Sequence, residues 1–451
     1  MKTPIADFAR RYAASGTARF HMPAHKGAGP LGCEALDLTE IAGADDLFAA
    51  EGVIAESERN AAALFGAGHT FYSTEGATLA IKAMLALAVR EAPRGVRPRV
   101  LAARNAHRSF LYACGLLDID VTWLTPAVFT HLCSCAVTPA EVEAALKEAK
   151  TGEENGAFCA VYLTSPDYLG NLADIAGIAA VCRARGVPLL VDNAHGAYLA
   201  FTSPARHPLS LGAAMTADSA HKTLPVLTGG AYLHVAKDAP VAFAEGARSA
   251  LALFASSSPS YLILQSLDLC NRALAEGYPA ALADCAARVA TLKRDLAARG
   301  YAIIGDEPVK ITISGAPIGY AGDELADALR EAGAEPEFAD RDFVVLMCSP
   351  HNTAADFDRV RAALSALPRR GKIAKIAPVA PPVPQKALSI REALLSPQES
   401  VSPREAIGRV CAAPAVTCPP AVPIVMSGEV VTAATAELFA YYGIGSVSVV
   451  K

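Results

Sequence analysis

Between about residue 55 and residue 235, short apolar runs alternate with helix-period segments, and that alternation leaves few architectures open. The spacing predicts a helix over 54–65, stopped by Gly66 and Gly68, and then a strand over 69–72. An apolar helix over 79–90, strands over 99–103 and 121–124, and a helix over 139–150 follow. Next come a strand over 157–163, a helix over 174–185 and the fully apolar strand 187–191. A strand apolar on both faces suits a mostly parallel sheet covered by helices on each side. Two further apolar runs, 211–215 and 229–235, bracket the polar stretch 216–228. Helices are expected over 262–275 and 280–299, after which the pattern changes. Strands over 309–314 and 343–348, with helices over 323–331 and 354–367, describe a compact α+β unit. The expected organisation is an N-terminal arm (1–40), a large α/β domain (41–285), a small α+β domain (286–368), a linker rich in proline and basic residues (369–385) and a C-terminal domain (386–451).

Composition narrows the function classes. The 451 residues carry 40 basic and 45 acidic side chains, net −5, which does not suit an electrostatic nucleic-acid binder. No apolar run is long and clean enough for a membrane span, and the first residues lack the apolar core of a signal peptide. The eleven cysteines show no disulfide framework, so reduced thiols in a cytoplasmic protein are expected. Cys133 and Cys135 near His131 lack the spacing and the second pair of a structural zinc site, and no metal is expected.

The chemistry gathers around Asp218-Ser-Ala-His-Lys222-Thr, set between two strands. A lysine in a partly dry site can lose its proton and form a Schiff base with a carbonyl. Ser219 and His221 can donate to a phosphate beside it. Upstream, Ser73-Thr-Glu-Gly-Ala-Thr joins a strand to a helix, where backbone N–H groups and the dipole favour an anion, and Gly76, Ala77 and Thr78 are placed to cradle it. Asp192-Asn-Ala-His195 ends the 187–191 strand, at the sheet edge where ligands of α/β proteins sit. His107 opens a helix after Arg104-Asn-Ala. Taken singly, each piece reads as a cap, a turn or a solvated side chain. In this order they supply what pyridoxal phosphate requires: a lysine, a carboxylate for the ring nitrogen, a phosphate cradle and a ring to stack on the cofactor.

The sequence resembles the bacterial ornithine/lysine/arginine decarboxylases over nearly its whole length. The resemblance rests on His21-Met-Pro-Ala-His-Lys-Gly, Gly43-Ala-Asp-Asp-Leu, Thr74-Glu-Gly-Ala-Thr, Arg104-Asn-Ala-His-Arg-Ser, Val191-Asp-Asn-Ala-His-Gly, Asp218-Ser-Ala-His-Lys-Thr-Leu and Ser256-Ser-Ser-Pro-Ser-Tyr. Ala406-Ile-Gly-Arg and Pro419-Pro-Ala-Val-Pro look like the end domain of that family. It implies an aspartate-aminotransferase-like fold (fold type I) with a mostly parallel central sheet, without the N-terminal receiver-like domain of the long members. It also implies pyridoxal phosphate on Lys222, Asp192 at the ring nitrogen, His107 stacked on the ring and His195 beside it. Gly76, Ala77, Thr78, Ser219 and His221 would bind the phosphate, and Lys222 or His221 would return a proton to the product. The sequence departs from the family at Glu75, where asparagine is common, at Ala77, where a hydroxyl residue is common, and at Gly229-Gly230. It departs again at Cys418-Pro-Pro-Ala-Val-Pro, where many members have Tyr-Pro-Pro-Gly-Ile-Pro.

The implied reaction is decarboxylation of arginine, lysine or ornithine to agmatine or a diamine, in a homodimer or larger homo-oligomer. A cationic side-chain end needs a carboxylate, and Asp45 and Asp46 are the candidates. Two rivals stand beside this reading. One is another fold type I reaction, transamination or β-elimination, for which Arg341 is the residue to watch as a carboxylate clamp. The other is a catalytically silent, cofactor-binding regulator.

Overall fold

The computed structural model describes residues 1–125, 133–151, 158–374, 384–413 and 424–451. His131, most of the expected linker and the Cys418-Pro-Pro-Ala-Val-Pro motif lie outside them. Seven strands make the central sheet: β1 (His69–Ser73), β2 (Arg99–Ala103), β3 (Asp120–Leu124), β4 (Phe158–Thr164), β5 (Leu189–Asp192), β6 (Met215–Asp218) and β7 (Ala231–Val235). Their order is β1-β7-β6-β5-β4-β2-β3. The β2–β3 and β5–β6 pairs are parallel, while β7 runs antiparallel to both β6 and β1. The mostly parallel sheet read from the sequence is therefore present, with β7 as its reversed strand.

The chain divides into two compact units. The first comprises Met1–Arg94, Cys159–Tyr162 and Ile175–Pro279. Its β5, β6 and β7 are buried along their whole length. Helix Gly76–Arg90 packs on β6, β7 and helix Val241–Ala252, and is apolar nearly all round, with Leu79, Ile81, Met84, Leu85 and Leu87 buried. Each such side chain contributes about 1.5–3 kcal/mol on leaving water. The N-terminal arm is helical over Pro4–Ala14, where proline in the first turn starts the helix and Ile5, Ala6 and Ala9 form its buried stripe. The Ala6 N–H donates to Asp268 Oδ2 at 3.0 Å and the Ser57 hydroxyl to Asp268 Oδ1 at 2.6 Å, so the arm is fastened to helices Val53–Phe65 and Tyr261–Ala275.

One expected strand is displaced. Residues 211–215 do not form it: Pro208–Leu211 is a 3₁₀ turn ended by Gly212 at φ +104°, and the strand starts at Met215. The shift carries Asp218 into the sheet, fully buried.

The second unit comprises Gly95–Phe158, Leu163–Asp174 and Ala280–Lys451. The α+β pattern appears as a four-stranded antiparallel sheet built from β8 (Ala302–Ile304), β9 (Lys310–Ser314), β10 (Phe338–Ala339) and β11 (Val344–Met347), in the order β10-β11-β9-β8. Helices Gly322–Glu331 and Ala354–Ala366 accompany it. The C-terminal segment pairs β12 (Gln398–Val401) with β13 (Val447–Val450) over a small core that includes Ile424, Val425, Val431 and Phe439. Arg104, just past β2, makes a two-pronged ion pair with Glu429 (2.7 and 3.0 Å), and both side chains are buried. The Arg104 guanidinium also lies 5.7 Å from the centre of the Trp123 ring.

Glu429→Gln leaves the buried Arg104 charge without its counter-charge. The expected loss is about 3–5 kcal/mol. Trp123, the chain's one tryptophan, reports the transition, and its fluorescence in a urea titration should show the midpoint falling.

Candidate active site

Asp192 and Lys222 come together because β5 and β6 run parallel and end side by side, with Asp192 in register with Ala217. Past β6 the chain makes a one-turn helix, Ala220–Thr223, that carries His221 and Lys222. Lys222 Nζ lies 3.1 Å from His195 Nε2, which follows β5. The Asp192 carboxylate is 2% exposed and accepts hydrogen bonds from the Ala194 N–H (3.1 Å) and the Tyr162 hydroxyl (3.3 Å). Burial pushes its carboxyl up to about 6, against the opposing pull of the Lys222 charge and these two hydrogen bonds. A buried carboxylate, a lysine and an imidazole thus share one site in the first unit.

Ser219 and His221 flank the lysine. Ser219 is buried, and its hydroxyl makes no capping bond to the short helix it begins. His221 Nδ1 lies 3.0 Å from the Gly230 carbonyl oxygen, a contact that places the imidazole proton on Nδ1 and leaves Nε2 as the second proton site. Burial lowers the His221 pKa, the Gly230 bond opposes that, and the Lys222 charge adds to it.

The turn before helix Gly76–Arg90 packs on the same loop. Gly76 sits at φ +71°, and its N–H donates to the Gly229 carbonyl at 2.7 Å. Gly76 is therefore needed for its backbone shape, and its N–H is committed within the protein. An anion placed there would meet the rest of the helix's first turn, where Ala77 and Thr78 stand. Gly229 sits at φ +98°, and a Cβ there would come 2.8 Å from the Thr74 carbonyl oxygen. Glycine at this departure from the family lets the lysine loop and the turn touch backbone to backbone. The unusual Glu75 accepts the Ser256 N–H at 2.8 Å, binding the turn to the Ser256-Ser-Ser-Pro segment.

The other expected site residues have local roles. Asp45 accepts from five backbone N–H groups, those of Asp46, Glu51, Gly52, Ile54 and Ala55, and so ties down the start of helix Val53–Phe65. Asp46 accepts from the Phe48 N–H at the head of a 3₁₀ turn. In the second unit His107 caps helix Arg108–Leu117, with Nδ1 2.7 Å from the Ser109 hydroxyl. Arg341, also in that unit, lies 4.7 Å from the centre of the Tyr441 ring. Tyr162 is a residue the sequence reading missed; its signal is one polar-tipped aromatic in an otherwise apolar strand.

Comparison with known proteins now bears on this arrangement. A family model described as the Orn/Lys/Arg decarboxylase major domain matches residues 3–315, and one for the C-terminal domain matches residues 377–445. The chain belongs to the Orn/Lys/Arg decarboxylase family. It is 31% identical to an arginine decarboxylase of Halalkalibacterium halodurans, over 96% of this chain and 91% of that one. It is 29% identical to an arginine decarboxylase of Bacillus subtilis, with the same coverage. Among solved structures, the Escherichia coli constitutive lysine decarboxylase matches with a TM-score of 0.79 at 17% identity, covering 100% of this chain and 82% of that one. A Francisella novicida lysine decarboxylase matches at 0.80 and 16%, covering 100% and 81%. The fold is that of these decarboxylases, and no helix among the described residues is long and apolar enough to cross a membrane.

The raised Asp192 value has a thermodynamic consequence for the ligand-free decarboxylase. The folded state keeps a proton that an unfolded chain, with its ordinary value of 3.8, has already released. That stability is fully present below the unfolded value and is lost as pH rises to about 6. The full span amounts to roughly 3 kcal/mol. Asp192→Asn removes it, so urea unfolding at about pH 4.5 and about pH 7 should show a steeper loss of stability in the wild type than in the variant.

Proposed function

We propose that the chain is a pyridoxal-phosphate-dependent arginine decarboxylase, releasing carbon dioxide and agmatine. The observation that carries this reading is the contact of Lys222 with His195 beside the buried Asp192, in a chain of this family. The arginine preference draws on the curated relatives called arginine decarboxylases, which match the chain nearly end to end.

The donor set fits the cofactor. Lys222 supplies the amine, and Asp192 supplies a carboxylate that burial has already made basic. The Ser219 hydroxyl and the first turn of helix Gly76–Arg90 are suited to a phosphate. When bound, pyridoxal phosphate supplies an electron sink for the pair released as the substrate's carbon–carboxylate bond breaks.

The chain's own residues do the rest. His195 Nε2, at hydrogen-bond distance from Lys222 Nζ, can take the ammonium proton and leave the lysine as a nucleophile. Asp192 would face the ring nitrogen and favour its protonated form, with Tyr162 and Ala194 keeping the carboxylate oriented. His221, with its proton on Nδ1 facing the Gly230 carbonyl, leaves Nε2 as an acceptor that can take up a proton and pass it on to the substrate carbon. Asp45 is taken up by backbone, so Asp46, exposed and with one carboxylate oxygen committed to Phe48, is the member of that pair suited to a distal guanidinium.

Purified protein loaded with pyridoxal phosphate should release carbon dioxide and agmatine from arginine with a higher kcat/KM than it shows for lysine or ornithine. Lys222→Ala should lower the rate by at least about a thousandfold. Release from lysine or ornithine alone would reassign the substrate, and release from none of the three would overturn the decarboxylase assignment. Ser219→Ala should raise the cofactor dissociation constant about tenfold, the worth of one hydrogen bond to a charged group. Titration of the cofactor-free protein, followed by absorbance, measures it.

A further inference from the structure

A second buried carboxylate sits directly behind the lysine segment. Asp218, the last residue of β6, is 0% exposed. Its Oδ2 accepts from His207 Nε2 at 2.7 Å and from the Asn193 side-chain amide at 2.8 Å, and His234 Nε2 stands 3.9 Å from it. His207 Nδ1 accepts the Leu209 N–H at 3.3 Å, so the imidazole proton lies on Nε2 and is directed at the carboxylate. The same tautomer argues against a metal at the His207–Asp218–His234 cluster, because a ligating Nε2 has to be without its proton. The cluster is a hydrogen-bonded anion site within the protein.

Asn193 connects this anion to the chemistry. It follows Asp192 directly, its N–H donates to the Ala217 carbonyl at 3.0 Å, and its amide donates to Asp218. Both bonds join the strand end bearing Asp192 to the strand end that leads into Ser219, His221 and Lys222. On the other side, β7 sets His234 in register with Thr216, and Thr70 Oγ1 lies 2.7 Å from His234 Nδ1. Three stretches of chain thus converge on one carboxylate.

We infer that Asp218 is a positioning residue: its buried carboxylate, held by His207 and Asn193, fixes the placement of Lys222 relative to Asp192 and keeps a negative charge behind both. The inference rests on the proposed cofactor role of Lys222. The electrostatics agree with it. Burial alone would raise the Asp218 carboxyl, but the His207 imidazole hydrogen-bonded to it more than offsets that, and it lies below its ordinary value. Burial takes His234 down to about 3, so that ring is neutral in any ordinary buffer. The Asp218 charge in turn adds to the rise at Asp192. The titratable and charged groups facing this site are His207 from the 3₁₀ turn, His234 and Tyr232 from β7, Asp192 from β5, and Lys222 beyond Asp192.

The test uses the cofactor-loaded full chain and two pairs of readouts: kcat against KM, and the pH at which the absorbance of the lysine-bound cofactor titrates. Asp218→Asn keeps the side chain's size and removes its charge. It should retain the absorbance, lower kcat about tenfold or more with KM changed less than about threefold, and move the titration down by about one pH unit, since a nearby negative charge favours protonated states. His207→Gln keeps an N–H donor and should behave as wild type. His207→Leu removes the donor and should lower kcat with KM unchanged, as Asp218→Asn does. If Asp218→Asn does not fold, the contrast between His207→Gln and His207→Leu decides the matter. Wild-type kcat and titration in Asp218→Asn, with only a lower melting temperature, would overturn the inference, as would His207→Gln and His207→Leu behaving alike. A wild-type protein that forms no Lys222-dependent absorbance with pyridoxal phosphate removes the cofactor reading, and this inference falls with it; a normal wild type with unmoved variants removes the inference alone.

Discussion

Holding a carboxylate out of water is expensive, and the first unit does so at Asp192. The expense is tolerated because the sheet supplies what water would have given: an N–H from Ala194, a hydroxyl from Tyr162 and the opposing charge of Lys222. None of these partners is free to leave. Tyr162 is fully buried in β4, Ala194 follows β5 directly, and Lys222 is fixed by the short helix after β6. The rest of the first unit is arranged so that these strand ends stay where they are. The buried helix Gly76–Arg90 lies on β6 and β7, and the glycine contact at 76 and 229 joins the lysine loop to the turn before that helix.

Much of this was legible before the structure, and the reason is periodicity. Apolar strands between amphipathic helices gave the order of elements, and the strand ends pointed to Asp192 and Lys222, because ligands of α/β sheets gather there. What escaped had no such period. Helix Pro4–Ala14 carries a start signal, yet only three of its non-proline side chains are buried, too few to stand out from an arm. Helix Val241–Ala252 is short and rich in small residues, and β8 has three residues. The strand before the lysine was read four residues early because Leu211 is apolar; the left-handed Gly212 shows why the chain turns there instead.

Side-chain partnerships were less legible still. Asp45 and Asp46 looked alike as acidic neighbours, but the Asp45 backbone, at φ +73°, aims its carboxylate at a helix start, and no composition argument distinguishes the two. His207, Asp218 and His234 are spread over 28 positions of sequence and meet only because β6 and β7 pair. The same holds for Arg104 and Glu429. Arg104 opens a motif that reads well by itself, and nothing local to it points to Glu429.

That last pair sets an order of events on the ribosome. Glu429 comes 325 residues after Arg104, so through that stretch of synthesis the guanidinium lacks its carboxylate partner. The second unit is also interrupted by the chain of the first, since its final part begins at Ala280. The first unit has all its residues by Pro279 and can fold while the ribosome is still at work. The second can close around Arg104 only once Glu429 has been made, and a transcript cut short before codon 429 would yield a chain whose buried cation is never neutralised.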